Sequence, residues 1–140
     1  MLASFQARVV PFNVNYRYVA EELRYLLNDS NASAVVFHSA FAANVAEVRD
    51  ALPNLKVLLQ VDDGSGAPLL DGAQWYEEAL AAASAEPPVV ELSPDDLYIL
   101  YTGGTTGMPK GVLWRRADHF VASSGGAGGG AAPGWGAAAG

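Results

Sequence analysis

The residues best equipped for chemistry run from Tyr101 to Gly111, in the order Tyr-Thr-Gly-Gly-Thr-Thr-Gly-Met-Pro-Lys-Gly. Gly103, Gly104 and Gly107 permit positive φ and let backbone N–H groups come close to an anion. The hydroxyls of Thr102, Thr105 and Thr106 can donate to phosphate oxygens, and Lys110 supplies compensating positive charge. Pro109 stiffens the exit and removes one N–H donor. Together these groups suit a polyphosphate. The string is not the Walker loop, which ends in Gly-Lys-Ser/Thr, because Lys110 lies between Pro109 and Gly111. It holds no Gly-x-Gly-x-x-Gly dinucleotide pattern either. A plain Gly-rich turn between two strands would explain one Gly pair, but not the whole string.

Other candidate groups have blander explanations. His38 ends an apolar segment and His119 lies beside Phe120; neither has a Ser/Asp constellation that would make it catalytic. Asp62-Asp63 precedes Gly64-Ser65-Gly66 and reads as a solvated turn, since the oxygen-ligand spacing of a calcium loop is missing. Trp75, Tyr76 and Trp114 read as packing residues. Tyr16, Arg17 and Tyr18 could form a cation–π contact, but packing at a helix start is the better explanation.

Composition narrows the function classes. The chain has 140 residues, enough for one modest core, and 51% of them are apolar. Its formal net charge of −7, with only the adjacent pair Arg115-Arg116 as a basic feature, argues against a nucleic-acid surface. The absence of cysteine excludes disulfides and thiolate metal sites. No apolar run approaches the roughly 20 residues of a membrane helix, and the first residues lack the order of a signal peptide. A soluble, cytoplasmic protein is the expectation.

The elements that must position the loop follow from periodicity. Val19, Leu23, Leu26 and Leu27 share one helical face, predicting a helix over 18–28 with Glu21 and Glu22 on its early turns. Ala34 to Phe37 reads as a buried strand. Phe41, Val45, Val48 and Leu52 predict a second helix, with Ser39 as N-cap and Pro53 as stop. Lys56 to Val61 reads as the next strand. Asp71 and Gln74 resemble a capping box opening a helix through Trp75, Tyr76, Ala79 and Leu80. Glu86-Pro87-Pro88 interrupts the pattern, Ser93-Pro94-Asp95-Asp96 is a turn-forming start signal, and Leu97 to Tyr101 is a strand. The alternation predicts an α/β fold with parallel strands and crossover helices, the Gly/Thr loop standing at the carboxyl end of its strand. Residues 123–140 are nearly all Gly, Ala and Ser and offer little apolar surface to offset ordering entropy, so poor order is expected there.

From Tyr101 to Val112 the sequence resembles the signature loop of the adenylate-forming superfamily, which includes acyl-CoA synthetases, adenylation domains of peptide synthetases, and luciferases. That loop reads Tyr-Thr-Ser-Gly-Thr-Thr-Gly-x-Pro-Lys-Gly-Val, and Gly103 stands here in place of Ser. Met108 and Trp114-Arg115 look most like the fatty-acyl-CoA ligases. Upstream, Val10 to Tyr18 resembles the family's stretch in which an apolar strand leads to an Asn-x-x-Tyr turn, and Ser93 to Leu97 resembles its lead-in to the loop. Many relatives carry His at the position of Arg116.

The resemblance implies part of a large N-terminal domain of an adenylate-forming enzyme, over residues 1–122. It implies ATP-dependent conversion of a carboxylic, fatty acid to an acyl-adenylate and then, with coenzyme A, to an acyl-CoA. The small-molecule partners would be ATP, the acid and coenzyme A, helped by Mg²⁺. Carried over residue by residue, the ATP phosphates would be held by Thr102, Gly103, Gly104, Thr105, Thr106, Gly107 and Lys110, with Thr102 also contacting Mg²⁺. The adenine pocket, the ribose-binding Asp, the Mg²⁺-binding Glu and the catalytic Lys of the family are expected beyond Gly140, and Met1 is expected to fall within a helix of a longer enzyme. No catalytic residue is expected within these 140 residues, which alone should not adenylate. An adenylation domain loading a carrier protein, a non-catalytic α/β nucleotide-binding module and a partial reading frame remain alternatives. The acid and the oligomeric state are not readable here.

Overall fold

Leu23, Leu26 and Leu27 fall on one side of a helical repeat, and burying that side founds the fold. The structure, a computed structural model, describes residues 2–102 and 108–118. It opens with a short helix α1 (Leu2–Gln6), in keeping with the helix expected there, followed by α2 (Ala20–Asp29). The three leucines of α2 are buried, Leu26 completely. Val19 does not extend that face as expected. It is the N-cap, its backbone is extended, and it is 62% exposed, while its N–H donates to Glu22 Oε2 at 3.1 Å. The helix therefore starts two residues later than predicted. It ends in a closed Schellman turn: Asn31 takes φ 52°, its N–H donates to Asn28 O at 3.0 Å, and Ala32 N–H donates to Leu27 O at 2.9 Å.

The next stretch matches the expected strand–helix–strand order. Strand β1 (Ala34–His38) leads through a 3₁₀ turn (Ser39–Phe41) into α3 (Ala42–Arg49), and β2 (Val57–Val61) pairs in parallel with β1. Val35, Phe37 and Leu58 meet Leu23, Leu26 and Leu27 of α2 and Val45 and Val48 of α3 in one apolar cluster. Ser39 is not the N-cap it was expected to be. It is buried, its Oγ donates to Val61 O at 3.0 Å, and the cap position falls on Phe41, which has no side-chain acceptor. Asp62 and Asp63 form the expected turn, with Gly64 and Gly66 at φ 77° and 74°.

Two further expectations need correction. Gln74 does not sit inside a helix. Gln74–Trp75 is a two-residue strand, β3, in parallel register with Leu59 and Gln60, and α4 (Tyr76–Ala82) begins only after it. Pairing with the edge of β2 overrides the local capping pattern. The second concerns the strand before the loop. β4 (Leu97–Thr102) does not join the parallel sheet β1-β2-β3; it forms a separate antiparallel pair with β5 (Lys110–Arg115), a strand the sequence reading did not foresee. The Gly/Thr string thus links two antiparallel strands, and its residues 103–107 lie outside the described ones. Ser93 to Asp96 is the expected turn, closed by Asp96 N–H to Ser93 O at 3.2 Å and Ser93 N–H to Asp96 Oδ2 at 3.1 Å. The chain remains α/β, as expected. The segment 123–140, expected to be poorly ordered, lies outside the described residues.

Candidate phosphate-binding hairpin

The antiparallel ladder runs from Leu97 opposite Arg115 to Thr102 opposite Lys110. Its last rung therefore brings together the two expected phosphate contacts that flank the loop. Both are exposed, and Thr102 Oγ1 donates to Lys110 O across a long 3.4 Å. Gly103, Gly104, Thr105, Thr106 and Gly107, the other expected contacts, lie outside the described residues. Pro109 is buried, which sets the chain direction just before Lys110.

The rung below explains why a glycine follows Lys110. Gly111 pairs with Tyr101, and a Cβ there would meet Ile99 Cγ2 and Tyr101 Cζ, each at 3.1 Å. The Tyr101 ring lies edge-on to Phe12, with centroids 5.9 Å apart and planes at 66°. Its hydroxyl donates to Asp29 Oδ2, at the end of α2, at 2.8 Å. Burial, and then the Asp29 carboxylate, push the phenol well above its usual 10.0, so it remains a donor throughout the neutral range. Neither Phe12 nor Asp29 was singled out from sequence. Asp29 is 72 positions from Tyr101, and no local pattern links them.

The far end of the hairpin is tied down by charge and backbone. Arg8 Nε donates to Asp96 Oδ1 at 3.0 Å, Ile99 N–H donates to Pro11 O at 3.1 Å, and Phe12 forms a single parallel bridge with Ile99. Burial disfavours ionised Asp96, but the Ser93 N–H and the Arg8 guanidinium outweigh it and hold the carboxyl below its usual 3.8. Arg115 pairs with Asp95 at 2.8 Å and Asp118 at 3.8 Å, so this half of the Arg115-Arg116 pair is neutralised locally. Upstream, Tyr18 N–H donates to Asn15 O at 3.0 Å, which forms the anticipated Asn-x-x-Tyr turn, and Arg17 lies 5.5 Å from the Tyr16 ring centroid.

The remaining candidates stay structural. Asp62 Oδ1 and Asp63 Oδ1 accept the N–H groups of Gly64 and Ser65 at 3.0 Å, and Asp63 Oδ2 accepts Ala40 N–H at 2.8 Å. The Ser65 hydroxyl, then the Ala40 and Ser65 N–H groups, lower Asp63 from 3.8 to about 2. Among the described residues no group of three or more His, Cys, Asp or Glu could hold a metal, and no helix is long and apolar enough to cross a membrane. His38 is exposed at the end of β1, and His119 lies outside the described residues.

Comparison with known proteins converges on one family. The family described as AMP-binding enzyme matches residues 1–127. The medium-chain acyl-CoA ligase Mig of Mycobacterium avium is 63% identical over 126 residues, which are 90% of this chain and 23% of that protein. The 3-oxocholest-4-en-26-oate–CoA ligase of Rhodococcus rhodochrous is 42% identical over 127 residues, again 90% of this chain and 23% of that protein. The chain thus spans about a quarter of the length of these relatives. In fold, it superposes on the anthranilate CoA ligase AuaEII, solved in complex with anthranoyl-AMP, with a TM-score of 0.71 at 21% identity, over 82% of this chain and 22% of that one.

Proposed function

Because the chain belongs to the AMP-binding enzyme family, we propose that it is the phosphate-gripping part of a cytoplasmic ligase that activates a fatty acid with ATP and transfers the acyl group to coenzyme A. The observation that carries this reading is the last rung of the hairpin, where Thr102 and Lys110 stand opposite each other at the mouth of the Gly/Thr loop. A hydroxyl donor and an ammonium group on adjacent strands offer two different contacts to neighbouring phosphate oxygens. Gly103, Gly104, Thr105, Thr106 and Gly107 join them in this reading through N–H and hydroxyl donors. Thr102 is exposed and its hydroxyl makes a single long bond among the described residues, so its oxygen is a fitting hard ligand for Mg²⁺. Bound there, the ion would neutralise charge on the phosphates.

In the proposed reaction an oxygen of the acid carboxylate bonds to the α-phosphorus of ATP and pyrophosphate leaves. The thiol of coenzyme A then bonds to the acyl carbon and AMP leaves. The hairpin serves the first step by holding the leaving pyrophosphate portion and offsetting its developing charge. The relative at 63% identity, by its name a medium-chain acyl-CoA ligase, supports an aliphatic acid. Chemistry is assigned to the longer enzyme, and the 140-residue chain should show no acid-dependent pyrophosphate exchange.

Calorimetric titration of the chain with ATP and MgCl₂ tests the reading. Binding should be detectable, and Lys110→Ala should weaken it about tenfold, as expected for the loss of a charge-assisted contact. Absence of binding, or an unchanged dissociation constant in the variant, would overturn it. In a full-length parent the same substitution should impair use of ATP more than binding of the acid.

A further inference from the structure

We propose that the hydrogen bond from Tyr101 to Asp29 is a positioning contact that sets the phosphate-binding end of the hairpin on the C-terminal end of α2. The proposal rests on the functional reading above and extends it to Tyr101 and Asp29. Tyr101 directly precedes Thr102 and pairs with Gly111, which directly follows Lys110, so whatever fixes Tyr101 fixes the rung carrying both phosphate contacts. Three features fix it. The hydroxyl reaches Asp29 Oδ2 at 2.8 Å, the ring packs in a T-shaped contact with Phe12, and it lies so close to Gly111 that a Cβ there would come within 3.1 Å of it.

The location of the contact distinguishes it from general scaffolding. The Arg8–Asp96 ion pair, the Ile99–Pro11 hydrogen bond and the Phe12–Ile99 bridge all engage β4 at or before Ile99. Tyr101 is the anchor nearest the loop. Asp29 is itself well placed, being the last residue of α2, where the Schellman turn through Asn31 and Ala32 fixes the backbone that follows. An anchor on the body of the fold, one residue from each phosphate contact, limits pivoting of the hairpin tip and spares the ligand the cost of ordering it.

The test compares Asp29→Ala, Asp29→Asn, Tyr101→Phe and the double variant Asp29→Ala/Tyr101→Phe in the 140-residue chain. Hydrogen exchange is read at amides of 97–102 and 110–115, with β1 and β2 as internal reference. Each single loss should speed exchange in the hairpin about fivefold, the scale of one net hydrogen bond, and leave β1 and β2 unchanged. The double variant should be no worse than Tyr101→Phe alone, because removing the phenol already removes the bond that Asp29→Ala breaks. Asp29→Asn, whose carbonyl still accepts the phenol, should restore protection. The dissociation constant for ATP with Mg²⁺ should weaken about fivefold in the same variants and recover in Asp29→Asn. Equal loosening of β1 and β2, additive effects, or a loosened hairpin with unchanged ATP affinity would overturn the proposal. Should Asp29→Ala fail to fold, Tyr101→Phe, which keeps the ring, carries the test. Failure of the unaltered chain to bind ATP would defeat the functional reading; exchange is measured without ATP, so the two failures are told apart.

Discussion

A methyl group at Gly111 would lie 3.1 Å from both Ile99 Cγ2 and Tyr101 Cζ, nearer than carbon atoms ordinarily approach. Replacing glycine within a strand would by itself help slightly, since an alanine loses less backbone freedom on folding. The crowding should prevail, because the Tyr101 ring is held on two further sides by Phe12 and Asp29. Gly111→Ala should therefore destabilise the chain by about 1 kcal/mol, read as a lower denaturation midpoint, and the cost should shrink when Tyr101→Leu removes the obstructing ring. Asp63 makes a different kind of prediction. Its carboxyl is lowered from 3.8 to about 2 by donors that require the ionised form. A lowered folded-state value stabilises the fold above the unfolded value and loses that contribution as the pH falls through the folded one. Stability should thus decline between about pH 4 and pH 2, and Asp63→Asn should flatten that part of the profile. An unaltered acid profile in the variant would show that the Ala40 and Ser65 contacts contribute nothing to folding.

The second strand of the parallel sheet carries a polar group where an apolar one would be expected. Gln60 is completely buried, and its side chain serves three partners: Nε2 donates to Ser39 Oγ and to Pro68 O, each at 3.0 Å, and Oε1 accepts Leu70 N–H at 2.8 Å. It thereby pins the long connection between β2 and β3 and the 3₁₀ turn that precedes α3. Gln60→Leu would leave the Leu70 N–H and the Pro68 carbonyl unpaired and should cost about 3 kcal/mol, seen as a lower urea midpoint with an unchanged slope. None of this was legible in sequence, because the partners of Gln60 are set by the fold and not by spacing. What was legible has a common cause. The faces of α2 and α3 and the short strands β1 and β2 show in local periodicity, because one side of each element meets the same core. β3 was mistaken for helix since two residues carry no period and owe their state to the β2 edge. β4 was recognised, but the direction of its partner is not written in its own residues, and the Gly/Thr motif drew attention away from the strand potential of Val112 to Trp114. The chemistry of the loop was readable from its composition. Its anchorage on Phe12 and Asp29 was not, because those contacts join residues remote in sequence.

Two sheets share one core. The buried cluster centres on Leu26 and Leu27 of α2 and takes in β1, α3 and β2, while Phe12 and Tyr101, which hold the hairpin, pack against the same cluster. Apolar side chains left exposed outside it are of little consequence for stability. Val36 is 56% exposed on the opposite side of β1, and Leu113 is 64% exposed on β5. A cluster this small leaves little margin, since whole domains are stable by only about 5–15 kcal/mol. Leu26→Ala should remove about 3–4 kcal/mol through lost transfer energy and the cavity it leaves, whereas Val36→Thr and Leu113→Thr should each stay within about 0.5 kcal/mol. The pattern of loss carries more information than its size. Because Phe12 and Tyr101 pack on the shared cluster, Leu26→Ala should speed amide exchange in β4 and β5 as well as in β1 and β2, with the hairpin also opening locally and so changing by its own factor. Retained protection in β4 and β5, with β1 and β2 exposed, would instead mark the hairpin as a separate unit. The contacts of Phe12 and Tyr101 with the cluster predict that protection falls in both sheets. The same connection explains how a core of leucines beneath α2 can hold Thr102 and Lys110, two exposed residues at the end of a hairpin, in fixed opposition.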